Sequence, residues 1–600
     1  MIESKEKMMR NVKKDRGKII YIFALFLIFL LFALRAFGLD KDIPNFGISL
    51  YQSVDEGIYS RATLNLFNSH NLFNIGEYEL YTLPFLRTNV LVSIVQYLFM
   101  NVLGDNYTGF RIVSVLINFL ILVFLYKCIK LICVRNKLDK KYTRVIIISI
   151  LTFVVLDFSF LLSSRVIENS NMRALFLLIL VYLFTKYQDN IEKSFFIYGF
   201  ISIFSIFLVY FSNLFVGLPF ILFLLIDLKN RDFKAMIKKL KYYVFGALLA
   251  LAIAEIYYIF VWDSTAFKDF FGTIFNFSSR IGENTNSSRT MMIFNNFCYF
   301  FGSNIFFYSP LFLFLSLISL KESFRKYLTN HNIAEILPAL FIISLLLQSL
   351  VARDYIERKA FTIYPMLLLC IVYFAVNVIK NKDDFIHVKV SKAQVFNDIL
   401  IYVVFLVCVY FGVYLRLQND YFLDFKFADV EVLKFSTLIQ ISLVLIYLFI
   451  HHTRIKIKFG KIIAIISCVF LVGVNTYFAV NYVYAFNYKT DKEAMIEIGN
   501  KCKNNIVMGA RAYSYTLYND IKPLVNDYKI YRKYIKDKDI KYQIEYAATN
   551  NGKYLNETVY GKPNKQSVYL INTYYRSEKA FGITYNIGLF EKNGSVVYEK

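Results

Sequence analysis

The chain has 600 residues, 57% of them hydrophobic, and 68 lysines and arginines against 44 aspartates and glutamates give a formal charge of +24. Several apolar stretches are long enough to cross about 30 Å of hydrocarbon, which excludes an ordinary soluble domain. The basic residues fall in short clusters between apolar runs rather than on one soluble face, a distribution that suits membrane topology and excludes nucleic acid as a partner.

The first 18 residues, MIESKEKMMRNVKKDRGK, are basic, and the run from Ile19 to Leu39 is longer than a signal-peptide core and lacks a small-residue cleavage site. It is expected to remain as an uncleaved first span, with the N-terminus in the cytoplasm. Further spans are expected at 111–130, 145–162, 171–187, 194–211, 213–227, 242–262, 304–320, 334–350, 361–380, 397–416, 435–451 and 460–483. These give about 13 transmembrane helices over 19–483. The clusters Lys127 to Arg144, Lys229 to Lys241, Lys321 to Lys326, Lys380 to Lys392 and His451 to Lys461 then all face the cytoplasm.

The apolar stretch at 88–103 breaks this pattern, because counting it as a span would place the basic 127–144 loop outside. It is expected not to cross. Asn89, Ser93 and Gln96 recur at steps of four and three, which gathers them on one helical face and suits a helix lying in the interface. The alternative is a tight helical hairpin over 88–130 that violates the charge rule.

Charge parity leaves outside the loop 40–110, the turn 163–170, the loop 263–303, the segment 351–360 and a tail over 484–600. The tail has short apolar runs such as NIVMG and SVYLIN and reads as a small extracytoplasmic α/β domain. The seven cysteines show no metal or redox spacing and read as packing residues; the five histidines are left out of any site. Phe270, Phe271, Phe275 and Phe277 in the second large loop suit either an isoprenoid groove or a ligand-free interfacial helix.

The outer side carries the ionisable residues that are costly at a membrane edge. They are Asp55, Glu56 and Arg61 in SVDEGIYSRATLNLF, then Glu77, Glu79, Arg87, Arg111, Arg165 and Glu168, and the late group Arg353, Asp354, Glu357, Arg358 and Lys359. A guanidinium holds a phosphate through paired hydrogen bonds, while a carboxylate takes a proton from an incoming nucleophile. A lipid-phosphate sugar donor uses both, since phosphate is then the leaving group and a carboxylate on the opposite ring face activates the acceptor. No glycine-rich loop offers a nucleotide cradle. Plainer readings stand beside these. Asp55 suits a helix N-cap, Glu56 a first-turn charge, Arg111 a snorkelling cation, and Arg165 with Glu168 a local ion pair.

The octet DEGIYSRA at 55–62 resembles the DExxYAxxA signature of the first outer loop of the GT-C glycosyltransferases, the group that contains the protein O-mannosyltransferases and the aminoarabinose transferase of lipid A. GDNYTGFR at 104–111 is similar to the family's LFGxxxxxxR element, FSFLLSSRVIENSNMRALF to its next outer turn, and ERKAFTIYPMLLL to its RYxLPxxP element. The resemblance implies an α-helical polytopic GT-C-like fold with an interfacial first outer loop, acting at the cell envelope. It also implies inverting transfer of a sugar from a polyprenyl-phosphate donor to an acceptor lipid, protein or wall polymer on the extracytoplasmic face. Asp55 would be the base, with Glu56 beside it; Arg111, Arg87, Arg358 and Arg61 would hold the donor phosphate. Asp55, Glu168 and Glu79 offer hard oxygens suited to a divalent cation, Mg, Mn or Ca. LPFLRTN departs from the family's Lys-Pro or Pro-Pro pair, and Glu168 stands where an aspartate is common. A transporter or flippase of a lipid-linked saccharide is the alternative; it calls for paired repeats or Gly/Pro-broken helices, and the sequence shows neither. A scaffold presenting the tail would leave the charged motifs unexplained.

Overall fold

The computed structural model describes residues 2–39, 90–104, 107–165, 169–209, 211–262, 289–301, 310–330, 333–351 and 361–380. It also describes parts of 63–70 and 265–272, scattered residues from 400 to 521, and the strands of the tail. Helix α1 runs Ile2–Ala33 and tightens into a 3-10 turn at Leu34–Ala36. Then come α2 Val90–Leu103, α3 Tyr107–Arg135, α4 Lys140–Leu156, α5 Phe158–Arg165, α6 Asn169–Lys186 and α7 Ile191–Leu208. After a 3-10 stretch at Phe211–Gly217 follow α8 Leu218–Lys229, α9 Phe233–Trp262, α10 Arg289–Phe301, α11 Pro310–Asn330, α12 Ile333–Val351 and α13 Tyr364–Lys380.

Among the described residues, six helical stretches are long and apolar enough to cross a membrane: Gly17–Ala36, Thr108–Arg135, Ile191–Leu208, Phe233–Val261, Ile333–Leu350 and Phe361–Lys380. On α9 the residues Leu248, Leu249, Ile256 and Phe260 point outward. In lipid, such faces cost nothing, and helices associate instead through close packing. Gly199 of α7 and Gly246 of α9 show this directly. A methyl group on Gly199 would overlap the Tyr243 carbonyl, and one on Gly246 would overlap that of Phe196.

The helix ends sort into two groups. At one end, Arg135 of α3 donates to the Lys186 carbonyl at the end of α6 and pairs with Asp189 at 3.0 Å, and Lys380 of α13 donates to Asn136 at 3.1 Å. Asp139 caps α4 there, and Lys238 of α9 pairs with Glu192 of α7 at 3.0 Å. Next to them, Asp227 of α8 and Lys239 of α9 form a buried pair, with ammonium to carboxylate distances of 2.8 and 2.7 Å. Exposed lysines collect at this end, which we call the basic end. The last turn of α1, the first turns of α3, α6 and α13, and all of α5 meet at the opposite end.

Two expected spans are built differently, and one expected interfacial helix is turned differently. The span expected at 145–162 is broken at Asp157, which takes extended backbone angles (φ −66°, ψ 130°), ends α4, and accepts from the Phe160 amide at 2.9 Å to start α5. The aspartate acts as an N-cap. At 213–227 the α-helix has only 12 residues, about 18 Å at 1.5 Å per residue. The preceding 3-10 stretch of 7 residues adds about 14 Å, so end to end they come to at most about 32 Å, just enough for a bilayer core. The spans expected at 397–416, 435–451 and 460–483 lie outside the described residues apart from isolated positions.

Helix α2 is a third case. Its first half, Val90, Leu91, Ile94 and Tyr97, shares an apolar cluster with Ile206, Phe207 and Leu208 of α7 and Ala254 and Tyr258 of α9, at the end away from the lysines. Its last turn meets the first turn of α3, where Gly104 takes a left-handed φ of 88° and a Cβ on Gly109 would come within 2.6 Å of the Gly104 carbonyl. Both halves of α2 therefore touch the same end of the bundle. Its polar face turns inward rather than toward water: Ser93 and Gln96 are buried, while Leu98 and Val102 are exposed. A buried amide is tolerated when its hydrogen bonds are made, and Gln96 makes two.

In the tail, β1 Ile506–Met508, β2 Lys522–Leu524, β3 Tyr542–Ala547, β4 Ser567–Tyr575 and β5 Thr584–Glu591 form one sheet in the order β2-β1-β3-β5-β4. β1 pairs in parallel with β2 and β3, while β5 runs antiparallel to both β3 and β4. The runs NIVMG and SVYLIN supply β1 and much of β4. The described cysteines Cys128, Cys133, Cys298, Cys370 and Cys502 are buried free thiols.

Candidate functional site

Four arginines, Arg35, Arg111, Arg165 and Arg173, are each at most 3% exposed, and all four stand at the end opposite the lysines. A buried guanidinium is costly unless its donors are used. Arg165, at the end of α5, donates from Nη1 to the carbonyls of Arg35 at 2.8 Å and Phe37 at 3.0 Å, and from Nη2 to that of Gly38 at 2.8 Å. Arg111, in the first turns of α3, donates from Nη1 to the Leu39 carbonyl at 2.6 Å. The end of α1 leaves carbonyls without intrahelical donors and carries the negative end of the helix dipole. Just past that end, the guanidiniums of Arg165 and Arg111 take up four carbonyls of the 3-10 turn and the chain leaving it, those of Arg35, Phe37, Gly38 and Leu39.

Arg35 itself reaches α4 and α5, donating to the Ser164 hydroxyl at 3.2 Å and to the Val155 carbonyl. Its guanidinium lies over the rings of Phe160 at 4.8 Å and Phe32 at 5.4 Å. Phe160 in turn stacks on Tyr364, the first residue of α13, with centroids 6.1 Å apart, and Phe361 stacks on the same tyrosine at 5.3 Å. Asp157 is the buried carboxylate at this end among the described residues, and its charge acts on both Arg35 and Tyr364. The Tyr364 hydroxyl is buried in that field.

The turn between α5 and α6 is closed by a reciprocal pair. The Ser163 hydroxyl donates to the Asn171 side-chain carbonyl, and the Asn171 amide donates to the Ser163 backbone carbonyl at 2.7 Å. Residues 166–168, Glu168 among them, lie between these two in sequence. Arg173 donates to the Asn213 side chain at 2.7 Å and sits over the Phe215 ring at 5.5 Å, while Asn213 donates to the Ser205 carbonyl at 3.2 Å. This chain links the start of α6 to the end of α7.

Of the residues that sequence singled out, Arg111 and Arg165 fall in this cluster. Asp55, Glu56, Arg61, Glu79, Arg87, Glu168 and Arg358 lie outside the described residues. Among the described residues, no three histidine, cysteine, aspartate or glutamate side chains come together as a metal site. Sequence reasoning passed over Arg35, Asp157 and Arg173. The signal was available, because each is a lone ionisable residue within or beside an apolar run, and such residues are rare without a task or a partner.

No family model matches the sequence, and no curated protein matches it. Among solved structures the chain is similar to ArnT from Cupriavidus metallidurans in the apo state, at 9% identity over 95% of this chain and 97% of that one, with a TM-score of 0.47. The same protein bound to undecaprenyl phosphate matches over the same shares with a TM-score of 0.45. The apo oligosaccharyltransferase of Archaeoglobus fulgidus matches at 10% identity over 88% of this chain and 69% of that one, with a TM-score of 0.47.

Proposed function

We infer that the chain is a multi-pass membrane glycosyltransferase that moves a sugar from a polyprenyl-phosphate donor to an acceptor on the extracytoplasmic face, with inversion at the anomeric carbon. The observation that supports this most is the gathering of buried arginines around residues 35–39, the point from which the segment bearing Asp55 and Glu56 departs. Buried guanidiniums give that end of the bundle a positive potential suited to a phosphate anion. Orientation follows from charge: the lysine-rich end and the N-terminus face the cytoplasm, and the arginine end, the helix α2 and the C-terminal tail face outward.

In the proposed reaction, the acceptor hydroxyl oxygen attacks the anomeric carbon and gives its proton to the Asp55 carboxylate. The bond between that carbon and the phosphate oxygen breaks, and the polyprenyl phosphate leaves with the electron pair. Glu56 orients Asp55. Arg87, Arg358 and Arg61 hold the phosphate, and Arg111 adds charge from its buried seat. Asp55, Glu168 and Glu79 are the carboxylates that would hold a divalent cation, whose role would be to neutralise phosphate charge. Asp55→Asn, expressed and inserted as the parent chain is, should lose transfer altogether; full activity in that variant would remove Asp55 from its role.

A further inference from the structure

The segment 40–62, which carries DEGIYSRA, has an upstream and a downstream neighbour among the described residues, and both are held at the same place. Upstream, the Leu39 carbonyl accepts from Arg111 at 2.6 Å. Downstream, the Thr63 hydroxyl, fully buried, donates to the side-chain carbonyl of Gln96 at 2.6 Å. The amide nitrogen of Gln96 donates to the backbone carbonyl of Phe110 at 3.5 Å. Phe110 and Arg111 are consecutive residues in the first turns of α3.

Gln96 suits this position because a carboxamide accepts and donates at once. A leucine would fill the space and satisfy neither neighbour, and a glutamate would accept from Thr63 but offer the Phe110 carbonyl no proton. The piece that begins at Thr63 is seated independently of this link. Leu66 packs with Val90, Phe207 and Ala266, and the His70 amide closes the helical turn on the Leu66 carbonyl at 2.9 Å.

The geometry points to Gln96 as a positioning residue: it ties Thr63 to the same α3 turn on which Arg111 holds Leu39, and so restrains both described neighbours of the segment that carries Asp55 and Glu56. The link rests on the reading of Asp55 as the base. Proton transfer in a displacement tolerates little misplacement, and about 1 Å of error costs on the order of 100-fold in rate.

The test compares the parent chain with Thr63→Val, Gln96→Leu, the double variant and Thr63→Ser, all reconstituted in liposomes with a labelled polyprenyl-phosphate sugar. Each of the first two should lower kcat by about 10-fold or more, with KM for the donor little changed. The double variant should be no worse than either single one, because both break one link, and Thr63→Ser should restore turnover. Unchanged kcat in Thr63→Val and Gln96→Leu would overturn the proposal. A second readout does not depend on activity: amide hydrogen exchange over 40–62 should rise in both variants while exchange over Thr108–Arg135 stays as in the parent. Unchanged exchange over 40–62 refutes the tie. If exchange rises but the parent chain transfers no sugar, the tie stands and the glycosyltransferase reading is what fails.

Discussion

Replacing Arg165 by methionine removes a guanidinium that makes three hydrogen bonds to backbone carbonyls, at 2.8, 3.0 and 2.8 Å, in a site where the side chain is only 2% exposed. Methionine keeps the length and apolar stem but leaves the carbonyls of Arg35, Phe37 and Gly38 without that donor. Hydrogen bonds from a charged donor contribute about 1.5 to 3 kcal/mol each in soluble proteins. Inside membrane proteins the measured average is nearer 0.6 kcal/mol. Three bonds at the membrane figure give about 2 kcal/mol, and three at the lower soluble figure about 5 kcal/mol. The expected loss is therefore about 2 to 5 kcal/mol, or about 30-fold or more in the unfolding equilibrium constant. The assay is reversible unfolding in mixed micelles titrated with sodium dodecyl sulfate and followed by circular dichroism, with exposed Lys193→Met as control. Arg165→Lys should fall close to Arg165→Met, because a point-charge ammonium cannot span three separated carbonyls as the planar fork does. A loss below about 0.5 kcal/mol, the scale of an ordinary surface change, would refute the clamp.

Two further predictions use the same unfolding assay. Asp227→Ala strands a buried ammonium and should cost about 3 to 5 kcal/mol, whereas the double variant Asp227→Leu with Lys239→Met should recover most of that loss. A double variant as unstable as the sum of both single changes would contradict a buried pair. Gly199→Ala forces a methyl against the Tyr243 backbone and should cost about 1 to 3 kcal/mol, with Gly246→Ala behaving alike; a neutral result at both positions would mean that α7 and α9 do not cross there.

Much of this architecture is legible in the sequence because hydrophobic length is a direct physical requirement of the bilayer. The runs at 19–39, 111–130, 334–350 and 361–380 each coincide with a helix, within a few residues. Charge parity also singled out α2, because counting it as a span would place the basic 127–144 loop outside; the helix has fourteen residues. Which way its polar face turns was not legible. That depends on Thr63 and the Phe110 carbonyl, partners distant in sequence that only the packed chain brings to Gln96. The break at Asp157 was hidden for a related reason: hydropathy averaged over a window absorbs one carboxylate, whereas the backbone obeys its local capping preference. Arg35, Asp157 and Arg173 went unremarked because motif reading looks for charges in loops, and these three are buried by tertiary contact. Arg111 was found by its spacing from Gly104, and the structure adds that its guanidinium grips the exit of the first helix.

One reconstitution tests whether the chain transfers sugar from a lipid phosphate with Asp55 as base. The full chain in liposomes is given a polyprenyl phosphate carrying a labelled sugar, together with envelope acceptor, and both labelled product and free polyprenyl phosphate are followed. The two should appear in equal amounts with the parent chain, and neither should appear with Asp55→Asn. Labelled donor that crosses the bilayer intact, without release of lipid phosphate, would contradict sugar transfer and favour a flippase.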